Sequence, residues 1–587
     1  LIRLQVESHF QALLAQEDTD GDRRITVHDR GPRCYEVDGF PVRGTYALSN
    51  LLQELALARD SGQSWLELDP QQLTEPPTQR ISRGIRERCW TGLTRRLDPP
   101  SLSKVLGDPK MAGPVRLYLP ANDRRSHDYY ADCGVEVVIL PAQITPRYVL
   151  GINDKPGLLG LALEEEPLPY VVPGGRFNEM YGWDSYFIAL GLIHDGHFEL
   201  ALAMLKHQVY QIRHYGQVLN ANRSYYLTRS QPPFLTRFLQ ALLAHRPLPL
   251  DFVHEVVRTA MHEYAHVWAG GPRLTPTGLS RYLGQGIGMP PETEPGHYHE
   301  VLLPWAARSG LAVEDFERAY LARELTCPEL DAYFVHDRTV RESGHDTSYR
   351  LEGRAADLCT VDLNSLLYAY EVDLADLLER YGQQPGFPEA DIWRGRASRR
   401  QALLHELCWD EASGQFFDYD YVQKARTGYQ SATGLWPLWA GLATPRQAER
   451  AMAAAPLEKG GLAASSLASR GPLGPGRPAR QWDYPYGWAP HQLMAWEGLQ
   501  RYHLDAAAWA ERWLRMITRN AIDFNGVIPE KYDVVEASHQ VFAEYGNVGA
   551  DFDYITREGF GWTNASYQIG LEYLSARQRA HLDELTS

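Results

Sequence analysis

From about residue 180 onward, apolar residues recur at helical spacing in one segment after another, and this periodicity narrows the possible folds more than any other feature of the chain. YFIALGLIHDGHFELALAMLKHQVYQI, FLTRFLQALLAH, VDLNSLLYAYEVDLADLLERY, APHQLMAWEGLQRY and AAAWAERWLRMIT all show it. A helix with an apolar stripe must bury that stripe against a neighbour, so serial amphipathic helices over about 400 residues predict an all-α array, either an α/α toroid or a solenoid. No short-period repeat marks a solenoid, and the spacing is irregular, which favours the closed toroid. The helices are joined by long polar connections such as GQGIGMPPETEPG, SRGPLGPGRPARQWDYPYG and the stretch from Tyr532 to Gly561. Long loops on a helical scaffold are where function is expected.

The N-terminal part has a different texture. A helical pattern of Leu4, Phe10, Leu13 and Leu14 runs into DTDGDRRITVHD, and short β-type runs, RLYLP and VEVVILP, precede residue 150. We therefore divide the chain into a module over residues 1–65 and a catalytic domain over 66–587. With 587 residues and 44% apolar content the chain can form a large core, so disorder is excluded and no disulfide or metal is needed for stability. A formal charge of −16 argues against nucleic-acid and anionic-membrane partners, and no apolar run approaches bilayer length. The six cysteines form no CxxC pair, and LIRLQVESHF lacks a secretory pattern, so a reducing, cytoplasmic setting is expected.

Three constellations carry chemistry. HEYAH (262–266) fits the zinc pattern HExxH, but the third ligand would have to come from elsewhere, with HYHE (297–300) the only rich neighbour, and an exposed helical turn is the preferred reading. In D-T-D-G-D-R-R-I-T-V-H-D, the side chains of Asp18, Asp20 and Asp22 fall at positions 1, 3 and 5 of an EF-hand-like loop. The carbonyl of Arg24 falls at position 7 and Asp29 stands at position 12, where a bidentate Glu is usual. Three carboxylates within five residues repel one another unless a cation neutralises them, so calcium is expected here. Finally, PGGRFNEMYGWDSY (173–186) and QWDYPYGWAP (481–490) interleave aromatics, turns, Arg and carboxylates. Aromatic faces cover the apolar faces of a pyranose and charged forks bond its hydroxyls, so these segments predict a sugar site.

Those two segments resemble the signatures of the trehalases, inverting glycoside hydrolases that split α,α-trehalose into two glucoses. LNANRSYYLTRSQPPF, GMPPETE, RESGHDTSYR, VDLNSLLY, PEKYDV, AEYGN and EGFGWTNAS extend the resemblance in order over residues 110–575. DTDGDRRIT and AEYGN resemble the neutral, cytosolic type. The resemblance implies an (α/α)6 barrel, with Asp346 as general acid and Glu530 as general base. It implies sugar contacts from Arg176, Phe177, Tyr181, Trp183, Asp184, Asn220, Arg229, Gln231, Arg281, Glu292 and Trp482, and from Glu544 on a closing loop. An acid that keeps its proton near neutrality needs a raised pKa, and inversion needs roughly 6.5–9.5 Å between the two carboxyls to seat a water. Calcium would be structural or regulatory rather than catalytic. Fungal members take a 14-3-3 partner on a longer N-terminal tail, but the seventeen residues before Asp18 hold one hydroxyl, Ser8, so this layer of regulation is not expected. The alternatives are another toroid glycosidase acting on α-glucans and a calcium-responsive sugar-binding protein without catalysis.

Overall fold

The computed structural model describes residues 1–37, 39–106, 116–293, 295–543 and 558–586. Its centre is a ring of inner helices: Asp184–His194, Leu235–His245, Val361–Tyr381, Trp436–Ala440, Ala489–Arg501 and Gly561–Tyr573. Each packs on the next, and the last closes against the first. Inner helices are covered on all sides, which is why Tyr186, Phe187, Ile188, Ala189, Gly191 and Leu192 of the first are all buried. Outside them lie Phe198–Tyr215, Leu250–Glu263, Ala390–Leu407, Pro445–Ala454 and Ala506–Asp523. The π-helical turn Ile85–Cys89 covers Gly561–Tyr573. This is the (α/α)6 toroid that the helical periodicity and the resemblance predict.

The N-terminal helices Val6–Glu17 and Thr45–Asp60 enclose a separate small core that runs from Leu4 to Leu73. Strand Ile2–Gln5 pairs antiparallel with Trp65–Leu68, which ties the start of the module to its end. The β-type runs form a small parallel sheet. Arg116–Leu119 lies between Glu136–Ile139 and Gly157–Leu159, and Leu158 bridges to Arg223, anchoring the 219–231 segment of the site.

A third core, not anticipated from the sequence, gathers Met289, Tyr298, Leu302, Phe316, Tyr320, Leu330 and Phe334. Its helices His299–Ser309, Val313–Leu321 and Pro328–Glu342 form a satellite. The last of these ends at the loop containing Asp346, so the satellite positions one side of the site.

Candidate active site

The SGHDTSYR loop leaves helix Pro328–Glu342 at Gly344, whose φ of +74° suits glycine. A Cβ there would lie 2.7 Å from Trp183 Cε2, so the loop can lie against the indole only because residue 344 has no side chain. The second signature segment then clamps this loop residue by residue. Gln481 donates its amide to the Asp346 carbonyl, and Trp482 N donates to Thr347 O at 3.1 Å. Buried Asp483 accepts from Ser348 Oγ at 2.7 Å and Tyr349 N at 2.8 Å.

Behind the Asp346 loop, His345 Nδ1 lies 2.8 Å from Ser343 O and its Nε2 3.0 Å from His491 Nε2. A carbonyl can only accept, so His345 carries its proton on Nδ1 and accepts at Nε2 from His491. Burial holds both rings neutral, with His345 pushed down to about 4.

Three carboxylates lie near enough to act on one another through their charges. Burial pushes Asp346 up to about 6, against the pull of Arg341, whose Nη1 lies 3.7 Å from Asp346 Oδ2. Asp184, buried in the first turn of its inner helix, is raised well above the ordinary carboxylate range. Burial is the largest cause, and the charges of Glu530 and Asp346 add to it. Asp184 therefore feels both carboxylates implied as acid and base. Glu530 precedes strand Lys531–Asp533, which pairs with Tyr486–Trp488 of the second signature segment. Its Oε2 accepts from the fully buried Lys531 Nζ at 2.7 Å, and its carbonyl accepts from Trp562 Nε1 at 3.1 Å.

Around these groups Arg229 is paired with Glu292 and lies 5.3 Å over the Tyr226 ring. Asn220 donates to Arg341 O at 3.2 Å, and Gln231 Oε1 accepts from Trp183 N at 2.8 Å. Phe177 meets Tyr181 edge to face at 5.4 Å, and Arg176 is exposed on the adjacent turn. Trp183 and Trp482 are almost fully buried, and Trp482 lies parallel to Trp488 at 3.8 Å, making it part of a packed indole wall.

Arg281 lies apart from this cluster in its contacts. It donates to the carbonyls of Pro272 and Ala356 and to Tyr421 OH. The arginine beside Asp346 is instead Arg341, which sequence reasoning missed. Its Nε lies 3.1 Å from Asp337 and 3.9 Å from Glu292. The available signal was its position within RESGHD, at the end of a helix and five residues before Asp346. Glu544 lies outside the described residues.

Far along the chain, the oxygens of Asp18, Asp20 and Asp22 come within 4.8 Å of one another. Backbone amides of the loop turn inward to them, with Gly21 N on Asp18 Oδ1 at 2.7 Å and Arg24 N on Asp22 Oδ1 at 2.8 Å. Burial, together with the charges of Asp20 and Asp18, raises the Asp22 carboxyl. Such a crowded oxygen set suits a hard cation. Asp29 stands outside this group. Its oxygens accept from Thr19 N at 2.7 Å and Thr26 N at 2.8 Å, so this side chain, one methylene shorter than the usual Glu, braces the loop from within. HEYAH is a helix turn, as preferred. Glu263 is fully buried against Tyr370 OH at 2.7 Å, while His262 and His266 stack outside at 4.0 Å. With the Glu directed into the core, the pattern cannot present its base beside a metal held by the two histidines.

A family model described as trehalase matches residues 62–575. The chain belongs to the trehalase family. A second model, the neutral trehalase Ca2+ binding domain, matches residues 10–37 of this trehalase-family hydrolase, across the acidic loop. The cytosolic neutral trehalase of Beauveria bassiana is 46% identical, over 99% of this chain and 86% of that protein. The cytosolic neutral trehalase of Saccharomyces cerevisiae is 44% identical, over 98% and 84%. The solved structure of neutral trehalase Nth1 from Saccharomyces cerevisiae superposes with a TM-score of 0.81 at 43% identity, covering 87% of this chain and 96% of that one.

Proposed function

We propose that this trehalase-family enzyme hydrolyses α,α-trehalose in the cytosol by inversion, with Asp346 as acid and Glu530 as base. The observation that carries the reading is that residues 481–490 bind the Asp346 loop through Trp482 and Asp483 and the strand after Glu530 through Tyr486–Trp488, so that the two carboxyls border one site. Asp346, raised to about 6, is protonated near neutrality far more often than an ordinary aspartate, and it delivers that proton to the glycosidic oxygen as the C1–O bond breaks. Glu530 takes a proton from water attacking C1 from the opposite face. Buried Lys531 orients that carboxylate through one oxygen and leaves the other for the water.

The sugar hydroxyls are held by Arg229, Glu292, Arg341, Asn220 and Asp184, with Arg176, Phe177, Tyr181, Trp183, Gln231 and Trp482 forming or backing the walls. Arg229 Nε and Glu292 Oε2 are buried and meet no hydrogen-bond partner among the described residues, so they keep hydrogen-bonding capacity that a hydroxyl can use. Trehalose is uncharged, and binding it through such forks needs no basic surface.

Asp18, Asp20, Asp22, the Arg24 carbonyl and Asp29 would hold calcium, which would supply charge neutralisation and loop order rather than bond cleavage. The loop reaches the catalytic side of the protein. Val27 N donates to Asp523 O at 3.0 Å, Thr26 bridges to Phe524, and Phe524 lies between His28 and His539 at ring distances of 5.3 and 4.4 Å. Glu530 follows Phe524 closely in the chain, so ordering the loop steadies the approach to the base.

The test is trehalose turnover by Asp346→Asn and Glu530→Gln. Each variant is expected to lose turnover while keeping the wild-type melting profile. An active variant would remove that residue from its role.

A further inference from the structure

Glu342 is fully buried, adjoins Arg341 in sequence and belongs to none of the substrate-facing groups described above. Its carboxylate is shared by three chain segments. Oε1 accepts Ser230 N at 3.1 Å, Oε2 accepts Leu283 N at 2.6 Å, and Arg273 spans both oxygens through Nη2 and Nε. Each backbone contact leads directly to part of the site. Ser230 follows Arg229, and Glu342 itself is the last residue of the helix that carries Arg341 and leads into the Asp346 loop. Leu283 begins the segment that runs to Glu292, and this segment is further tied to the same helix by Gly284 N on Thr339 Oγ1 at 3.3 Å and by Arg338 on Gly288 O.

We infer that Glu342, neutralised by Arg273, is a positioning residue that sets the separation of Arg229, Arg341 and Glu292 around Asp346. A single carboxylate fits this task because it offers lone pairs in several directions. An amide in its place keeps only one acceptor oxygen, and its NH2 would face backbone N–H groups and a guanidinium, all of them donors. A buried ion pair of this kind is weak as a source of stability but strong as a fixer of geometry once every partner is satisfied. Arg273 is also held by stacking 5.4 Å over Trp268, so the clasp is anchored at the outer end of the segment as well. Because Arg341 draws the Asp346 carboxyl down, a change in their separation must show in the protonation of the acid.

The inference rests on Asp346 as the proton donor, and the experiment separates the two claims. Trehalose hydrolysis by Glu342→Gln is followed against pH alongside its melting temperature. The expected result is a loss of kcat of about ten- to a hundredfold. The alkaline limb of kcat/KM should move to higher pH as Arg341 recedes from the acid. A lower melting temperature with the wild-type pH profile and kcat would overturn the proposal, leaving Glu342 a purely structural residue. If Glu342→Gln does not fold, Glu342→Asp carries the same test. It keeps the charge but is one methylene too short to hold both backbone amides, and the same shift is expected. The role of Asp346 is checked independently with α-glucosyl fluoride, whose leaving group needs no proton. Asp346→Asn should hydrolyse it while failing on trehalose. Failure of that control removes the acid assignment, whereas an unchanged pH profile in the Glu342 variants removes only the positioning role.

Discussion

The side-chain amide of Gln481 donates to the backbone carbonyl of Asp346, so the loop that carries the proposed acid is held through its main chain by the signature segment at 481–490. The neighbouring Trp482 and Asp483 contacts continue the clasp, and the two segments therefore act as one unit although they lie far apart in sequence.

Gln481→Met keeps the bulk and removes the donor. A buried carbonyl left without its partner costs about 1–3 kcal/mol, and a slightly displaced acid costs about a hundredfold in rate. We expect kcat to fall by about ten- to a hundredfold, with KM less affected. Steady-state kinetics together with a thermal melt checks this, and an unchanged kcat would show that the clasp does not position the acid.

The pH dependence follows from the sign of the Asp346 shift. As the proposed acid, Asp346 must be protonated to act, and burial places its midpoint at about 6, so kcat/KM should decline as pH rises through that value. Bound sugar displaces the remaining water and raises the carboxyl further, so the corresponding limb of kcat should lie at higher pH. Arg341→Met removes the charge that pulls Asp346 down and should move the alkaline limb upward while lowering the rate. A limb that shifts downward would contradict the electrostatic assignment.

Glu263 gives a separate stability signature. Its folded-state carboxyl is raised from 4.5 to about 7, chiefly by burial, and the folded protein therefore holds a proton that the unfolded chain releases first. Between those values stability declines as pH rises, by about 3 kcal/mol in total. Melting temperature against pH should decline less steeply for Glu263→Gln than for the wild type across pH 4.5 to 7. Parallel curves would show that Glu263 does not titrate in this way.

Asp18→Ala should weaken calcium binding, and EGTA should mimic it in the wild type. We expect a lower melting temperature and a lower kcat in both cases, because the loop braces Asp523 and Phe524 on the path to Glu530. Calcium titration by calorimetry, paired with the melts, provides a readout besides activity. Binding without any thermal shift would sever the loop from the fold's stability.

Much of this architecture was legible in the sequence because its cause is periodic. Inner and outer helices such as Val361–Tyr381 and Ala506–Asp523 announce themselves through apolar spacing. The aromatic signature segments pointed to a sugar site because they interleave stacking aromatics with charged hydrogen-bonding groups in turns. The satellite was not legible. Its core is small and is assembled from short helices interrupted by Pro304 and by polar loops, so no long stripe marks it. Arg341 was hidden for a related reason, since an arginine at a helix end looks like an ordinary surface cap until the satellite folds over it and buries it. Arg281 was the opposite case, an arginine in a suggestive segment whose guanidinium is committed to the Pro272 and Ala356 carbonyls and to Tyr421.

The central claim is inversion at C1 by Asp346 and Glu530, and the anomeric form of the first glucose released tests it most directly. Proton NMR at early times, before mutarotation, should show α- and β-glucose appearing from trehalose in equal amounts, one from the leaving sugar and one from the attacked sugar. Release of α-glucose alone would mean retention, and the account of an attacking water held by Glu530 would be wrong.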